Sequence, residues 1–217
     1  MRRRLRPIKR YGSIACIMAA MLGAGAANSA RAHAEEPSDL REFHVGMNVA
    51  ELPSSGYADF TCADDPPRAI AGWIMWRDCP KDSRGQRAIR FKFDESANRE
   101  GTKVAGHPVR LTMVLSDDAY ATELVIETDP SARLFQRKRA FLLGRQAQDH
   151  YGLEGWFCTQ EPAVGDEAPI GGVWLKEECS KQLATRTVNV KMDHYGVSKA
   201  DAGTFVSKTY ISVVQSK

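Results

Sequence analysis

The stretch Gly56-Tyr57-Ala58-Asp59-Phe60-Thr61-Cys62, followed by Gly72-Trp73-Ile74-Met75-Trp76-Arg77-Asp78-Cys79 and Arg87-Ala88-Ile89-Arg90-Phe91-Lys92-Phe93-Asp94, has a counterpart later in the chain. The counterpart reads Gly152-Leu153-Glu154-Gly155-Trp156-Phe157-Cys158, then Gly172-Val173-Trp174-Leu175-Lys176-Glu177-Glu178-Cys179, then Arg186-Thr187-Val188-Asn189-Val190-Lys191-Met192-Asp193. Three patterns recur in one order at offsets of 96 to 100 residues: aromatic-x-Cys, Gly-x5-acidic-Cys, and Arg-x-β-branched-x-apolar-Lys-apolar-Asp. This ordered recurrence predicts a duplicated unit, with residues 56–94 and 152–193 folding as the same strand arrangement.

Alternation within these segments predicts half-buried antiparallel strands. Phe60 and Cys62, Trp156 and Cys158, the odd positions of Trp73–Cys79 and Val173–Cys179, and the sets Ile89/Phe91/Phe93 and Val188/Val190/Met192 then share the core face. Val109–Leu115 and Tyr120–Thr128 add a pair turning at Ser116-Asp117-Asp118, and Thr204–Val214 reads as a final strand. Asn48-x-x-Glu51 has the form of a capping box ahead of Pro53, and Ser131 would cap a longer helix over residues 132–150. Residues 95–106, 160–171 and 194–203 read as loops from their Gly, Pro and acidic content. The expected class is α+β: an antiparallel sheet of eight or nine strands with helices, built from two tandem disulfide-containing helix-plus-meander units. Residues 35–130 would form the first unit and 131–217 the second, together making one compact domain.

The N-terminus points to a compartment. Residues 1–34 hold seven of the 30 basic residues and none of the 27 acidic ones. A basic start, a 14-residue apolar run from Ile14 to Ala27, and Ala32-His33-Ala34 together have the form of a secretory signal peptide cleaved after Ala34. The run is shorter than the ~20 apolar residues of a spanning helix, and Cys16 lies inside it rather than after it, where a lipidated cysteine would stand. Residues 35–217 then carry 23 basic and 27 acidic groups, a net charge of −4 that argues against nucleic acid as a partner. The expected location is the bacterial periplasm. Four cysteines remain there, Cys62, Cys79, Cys158 and Cys179, and an oxidising compartment favours two disulfides among three connectivities. If each unit closes on itself the bridges are Cys62–Cys79 and Cys158–Cys179; pairing across units is the alternative.

Val45-Gly46-Met47-Asn48-x-x-Glu51-Leu52 resembles the Gly-Met helix start of small secreted envelope proteins related to β-lactamase-inhibitor proteins and outer-membrane assembly lipoproteins. Their units place helices against an antiparallel sheet. The resemblance spans residues 45–52, without the lipid-anchor cysteine of the assembly lipoproteins and without a loop that matches the inhibitors residue by residue. It implies a binding protein without catalysis.

A site for chemistry is hard to find in the sequence. Gly-x-Ser-x-Gly, His-Glu-x-x-His, Walker-type and dinucleotide-binding glycine motifs are all missing, and no cofactor is implied. Asp149-His150-Tyr151-Gly152 recurs as Asp193-His194-Tyr195-Gly196, which invites a metal hypothesis, but these are also ordinary stop residues at the end of a helix and of a strand. The cysteines lack Cys-x-x-Cys spacing and a nearby histidine, so no metal site is expected. Asp64-Asp65 and Asp117-Asp118 read as turn residues, and Arg137-Lys138-Arg139 as a solvated helix face with phosphate contact as the alternative. Strand alternation would put Ile74, Trp76 and Trp174 opposite the disulfide core, either beneath helices or as an exposed patch for a partner. Trp76 and Trp174 are therefore the candidate partner-binding residues. The function expected is a non-catalytic periplasmic binding protein for an envelope protein, as inhibitor or assembly factor; the alternative is an envelope hydrolase acting on glycan or peptide.

Overall fold

The computed structural model describes residues 37–64, 66–96, 101–197 and 204–216. The signal-peptide region, Cys16 and the cleavage site after Ala34 lie outside the described residues. Within them the chain forms β1 (Tyr57–Cys62), β2 (Arg87–Phe93), β3 (Lys103–Val104), β4 (His107–Leu115), β5 (Ala121–Thr128), β6 (Phe157–Gln160), β7 (Glu167–Ala168), β8 (Leu175–Gln182), β9 (Arg186–Val197) and β10 (Phe205–Gln215). All pair antiparallel in one sheet ordered β1-β2-β4-β5-β10-β9-β8-β6, with β3 beside β4 and β7 beside β9. Each half is a four-stranded meander that starts at an outer edge and ends at the central β5–β10 seam, where Ile126 faces Ile211.

The α+β class and antiparallel sheet stand, but the two matched segments do not share one strand arrangement. Trp73–Asp78 is a 3-10 helix, whereas its counterpart is strand β8. As a result β1 pairs β2 directly, while β8 stands between β6 and β9. The two strands that the expected set lacked, β3 and β7, are two-residue strands inside segments read as loops, and β9 runs on through Val197 into the third. Their pairing is supplied by β4 and by β9 with β10, neighbours that local composition does not report.

One face of the sheet is covered. Ile89, Phe91, Leu111, Met113, Leu124, Ile126, Ile211, Val213, Val188 and Val190 lie across it, linked pair by pair through the strand registers, and all are buried. Over the first meander Phe43, Tyr57, Phe60, Trp73 and Phe91 form an aromatic cluster with neighbouring ring centroids 4.8–5.8 Å apart. The Trp73 indole N–H donates to Pro53 C=O at 2.9 Å, and the capping box at Asn48 forms as expected, with Asn48 Oδ1 accepting from Ala50 N–H and Glu51 Oε2 from Asn48 N–H.

Over the second meander lies a helix. The 132–150 segment breaks into α1 (Leu134–Arg137) and α2 (Phe141–His150). The break adjoins Ala140, whose carbonyl accepts from the buried Thr209 hydroxyl at 2.8 Å. Ser131 does not cap α1; its N–H and hydroxyl instead donate to Asp129 Oδ1. Leu143, Gly144 and Ala147 form the buried stripe of α2. A methyl group on Gly144 would overlap the Met192 side chain, so glycine sets the approach of helix to sheet.

Disulfides join Cys62 to Cys79 and Cys158 to Cys179. The first ties the 3-10 helix to the end of β1. The second links directly opposed residues of the neighbouring strands β6 and β8, with Cys179 buried and Cys158, expected on the core face, exposed on the edge strand.

Candidate binding surface

The 3-10 helix overturns the expectation for Trp76. Read as a strand, residues 72–79 have period two, which sets Trp76 apart from Trp73; a 3-10 helix has three residues per turn, which stacks them on one side. Trp73 and Trp76 are both buried, at 4% and 2% exposure, and Ile74 takes the solvent position at 84%. Two guanidinium groups lie over the Trp76 ring, that of Arg77 4.2 Å and that of Arg87 5.3 Å from its centroid. It presents no surface to a partner. Trp174 is half-buried, and its indole N–H is buried without a hydrogen-bond partner among the described residues.

Because the helical elements pack on the apolar face, the alternate residues of each strand point to the other side. The registers lay Arg110, Glu127, Tyr210, Lys191 and Glu178 in one row across five strands, with Lys208, Asp193 and Lys176 in the next. Charges along these rows alternate and pair. Arg110 meets Glu127 at 2.9 Å, Lys191 meets Glu178 and Glu161 at 3.7 Å, Lys208 meets Asp193 at 3.3 Å, and Lys176 meets Glu167 at 2.9 Å. Hydrogen bonds from Val164 N–H and the Lys176 ammonium hold the Glu167 carboxyl below the ordinary carboxylate range, and Glu167 in turn raises Lys176. Tyr210 stands 41% exposed in the middle of the row, and the Lys176 ammonium lies 5.2 Å from the Tyr195 ring. A cleft of about 580 Å³ opens here, lined by Arg110, Glu127, Lys191, Asp193, Lys208 and Tyr210 among others. Such a face offers a fixed pattern of donors, acceptors and one central aromatic.

The covered side holds the ionic feature that sequence reasoning missed. Asp39, its side chain fully buried, meets Arg186 Nε at 2.7 Å and accepts from Val45 N–H at 2.8 Å, while Arg186 also donates to Pro37 C=O. Burial pushes the Asp39 carboxyl up, against the pull of Val45 N–H and of Arg186. Arg186 is the first residue of the repeated Arg-x-β-branched motif, and its counterpart Arg87 is tied in the same manner, donating to Cys79 C=O at 3.0 Å and pairing with Asp117. Both arginines hold a segment running over the covered face; that shared position was the signal available in the sequence. Asp117 also receives Lys81, and these two cations lower its carboxyl, so the Asp117-Asp118 turn doubles as an ion-pair centre. Asp65 lies outside the described residues.

The repeated Asp-His pairs are not brought together. His150 ends α2 and bonds Ser38 C=O at 2.7 Å. His194 lies within β9, where it does not end the strand, bonded to Ser207 and with its ring 4.4 Å from Phe141 at the other end of α2. A helix rise of ~1.5 Å per residue separates the two by about 13 Å. Burial lowers the affinity of His194 for a proton. Cys158, Glu177 and Cys179 cluster closely, but both sulfurs are joined to each other and offer no thiolate. Among the described residues no helix is long and apolar enough to cross a membrane.

No family model matches the chain. No curated protein and no solved structure matches it either.

Proposed function

We propose that the chain is an exported, non-catalytic binding protein that holds an envelope protein against the uncovered face of its sheet. The observation that carries this reading is the one-sided architecture: the helices and the N-terminal segment lie on the apolar face, leaving a row of paired charges around Tyr210 facing solvent. Paired, strand-mounted charges lose little freedom when a partner docks, and charge patterning of this kind favours specificity over bulk affinity. The two disulfides and the basic, apolar and Ala-x-Ala succession at the N-terminus suit an oxidising compartment such as the periplasm. On the same reading the two meanders are copies of one unit, each keeping its own cysteine pair and its pinning arginine.

The test is capture from an envelope extract with the mature protein and with Tyr210→Ala and Lys191→Glu variants of unchanged melting temperature. A partner that binds the parent and is lost about tenfold or more from each variant supports the reading. Capture indifferent to both variants, or turnover of a glycan or peptide by the purified protein, overturns it. N-terminal sequencing of the product should give Glu35 first.

A further inference from the structure

Residues 130–148 contain five cations, Arg133, Arg137, Lys138, Arg139 and Arg145, and no acid, in a region otherwise rich in carboxylates: the remainder of residues 35–217 has 18 basic against 27 acidic groups. Among the described residues only Arg145 meets a carboxylate, that of Glu177 at 2.8 Å; none pairs with Arg133, Arg137, Lys138 or Arg139. Arg133, Lys138 and Arg139 are exposed. The same short helical pair exposes large apolar side chains, Leu134 at 51%, Phe135 at 63% and Leu142 at 38%. Phe135, Leu142 and Arg139 line one shallow depression beside the β3–β4 hairpin. A cationic face costs nothing extra in water, but three uncovered large hydrophobics among the cations do.

We propose that α1 and the first turns of α2 form a contact surface for an anionic lipid bilayer, with Phe135 and Leu142 entering the headgroup region and the arginines and Lys138 meeting lipid phosphates. Exposed Leu and Phe beside unpaired Lys and Arg is the composition of an interfacial helix, whereas a nucleic-acid contact would have no use for the leucines. Arg137 also lines the cleft beside Tyr210, but the depression holding Phe135, Arg139 and Leu142 shares no residue with that cleft, and the lipid contact does not depend on the Tyr210 row binding a protein.

The experiment is sedimentation with vesicles of phosphatidylcholine alone and with 30% phosphatidylglycerol (~30%, chosen to give a strong anionic surface), using a chain starting at Glu35 so that the basic N-terminus does not contribute. That chain retains the whole compact unit Glu36–Lys217. Binding is expected to the anionic vesicles only and to weaken with salt. Replacing Arg133, Lys138 and Arg139 together with Gln should weaken it about a hundredfold, at about fivefold per cation, and Phe135→Ser with Leu142→Ser should weaken it about tenfold or more. Because all five positions are exposed, melting temperatures should stay unchanged. Equal binding to neutral vesicles, no binding to either, equal binding by all variants, or tighter binding to duplex DNA than to vesicles would overturn the proposal. Loss of protein capture by Tyr210→Ala with vesicle binding intact would show the two surfaces to be independent.

Discussion

The two meanders each carry one disulfide but use it to solve different packing problems. In the first, aromatic rings fill the covered face, and Cys62–Cys79 fastens the 3-10 helix that lies over them. In the second, α2 covers aliphatic side chains by close approach at Gly144, and the cysteines sit on adjacent strands at the sheet edge instead. The pinning arginines differ in the same sense: Arg87 reaches an exposed carboxylate at Asp117, whereas Arg186 reaches the buried Asp39. One sequence pattern thus frames a 3-10 helix in the first half and a strand in the second, and in both the arginine that follows it finds an acidic partner.

The largest effect is expected at the buried anchor. Asp39→Asn removes the buried carboxylate that meets Arg186 Nε and should cost about 3–5 kcal/mol, whereas Asp117→Asn at the exposed equivalent should cost no more than about 1 kcal/mol. Chemical denaturation of the two variants measures both. Similar losses would erase the distinction drawn between the halves.

Next come the tryptophans. Trp76→Ala opens a cavity in the first half and should cost about 3–5 kcal/mol; Trp174→Ala, at a half-buried site, should cost no more than about 2 kcal/mol. The folded fraction of Trp76→Ala should capture a partner as the parent does. Loss of capture without loss of stability would return Trp76 to the surface.

Removing the disulfides sharpens the contrast further. Loops of 17 and 21 residues predict nearly equal stabilisation of about 3 kcal/mol from chain entropy alone. Cys62→Ala with Cys79→Ala should show that value. Cys158→Ala with Cys179→Ala should show less, about 1–2 kcal/mol, because β6 is a four-residue edge strand that can fray and recover freedom without unfolding the rest. Hydrogen exchange should then accelerate in β6 and hardly elsewhere.

The smallest effect is on pH dependence. Burial lowers the proton affinity of His194 in the second half and of His107 in the first, where Arg139 adds a like charge. A histidine with a lowered folded pKa binds its proton better when unfolded. Stability is therefore full above pH ~6.5 and is lost as pH falls below that value towards the folded pKa, by at most about 1.4 kcal/mol per pH unit for each group. His194→Asn and His107→Asn should each remove a part of that slope. A melting temperature that does not fall between pH 7 and pH 5 would count against both.

The strands were legible wherever one side chain in two is apolar along a run, as in Ile89/Phe91/Phe93 and Val188/Val190/Met192, because burying one face of a strand requires that period. The capping box at Asn48 was legible because both of its hydrogen bonds are local in sequence. The candidate tryptophan Trp76 was misplaced because its six-residue segment fits period two and period three equally well, and the choice was made by Phe60, Phe91 and Pro53, which receive Trp73 from other parts of the chain.

By itself the sequence determined the antiparallel meanders, the helical segment before the second meander and the cysteines grouped in two pairs, all properties of local periodicity and spacing. Tertiary structure alone decided that the meanders meet at the β5–β10 seam, that the helices gather on the disulfide side, and that Asp39 closes on Arg186 across about 150 residues of chain. The reason is physical: which faces are covered depends on which apolar surfaces bury most area together, a sum over distant residues that no window of the sequence contains.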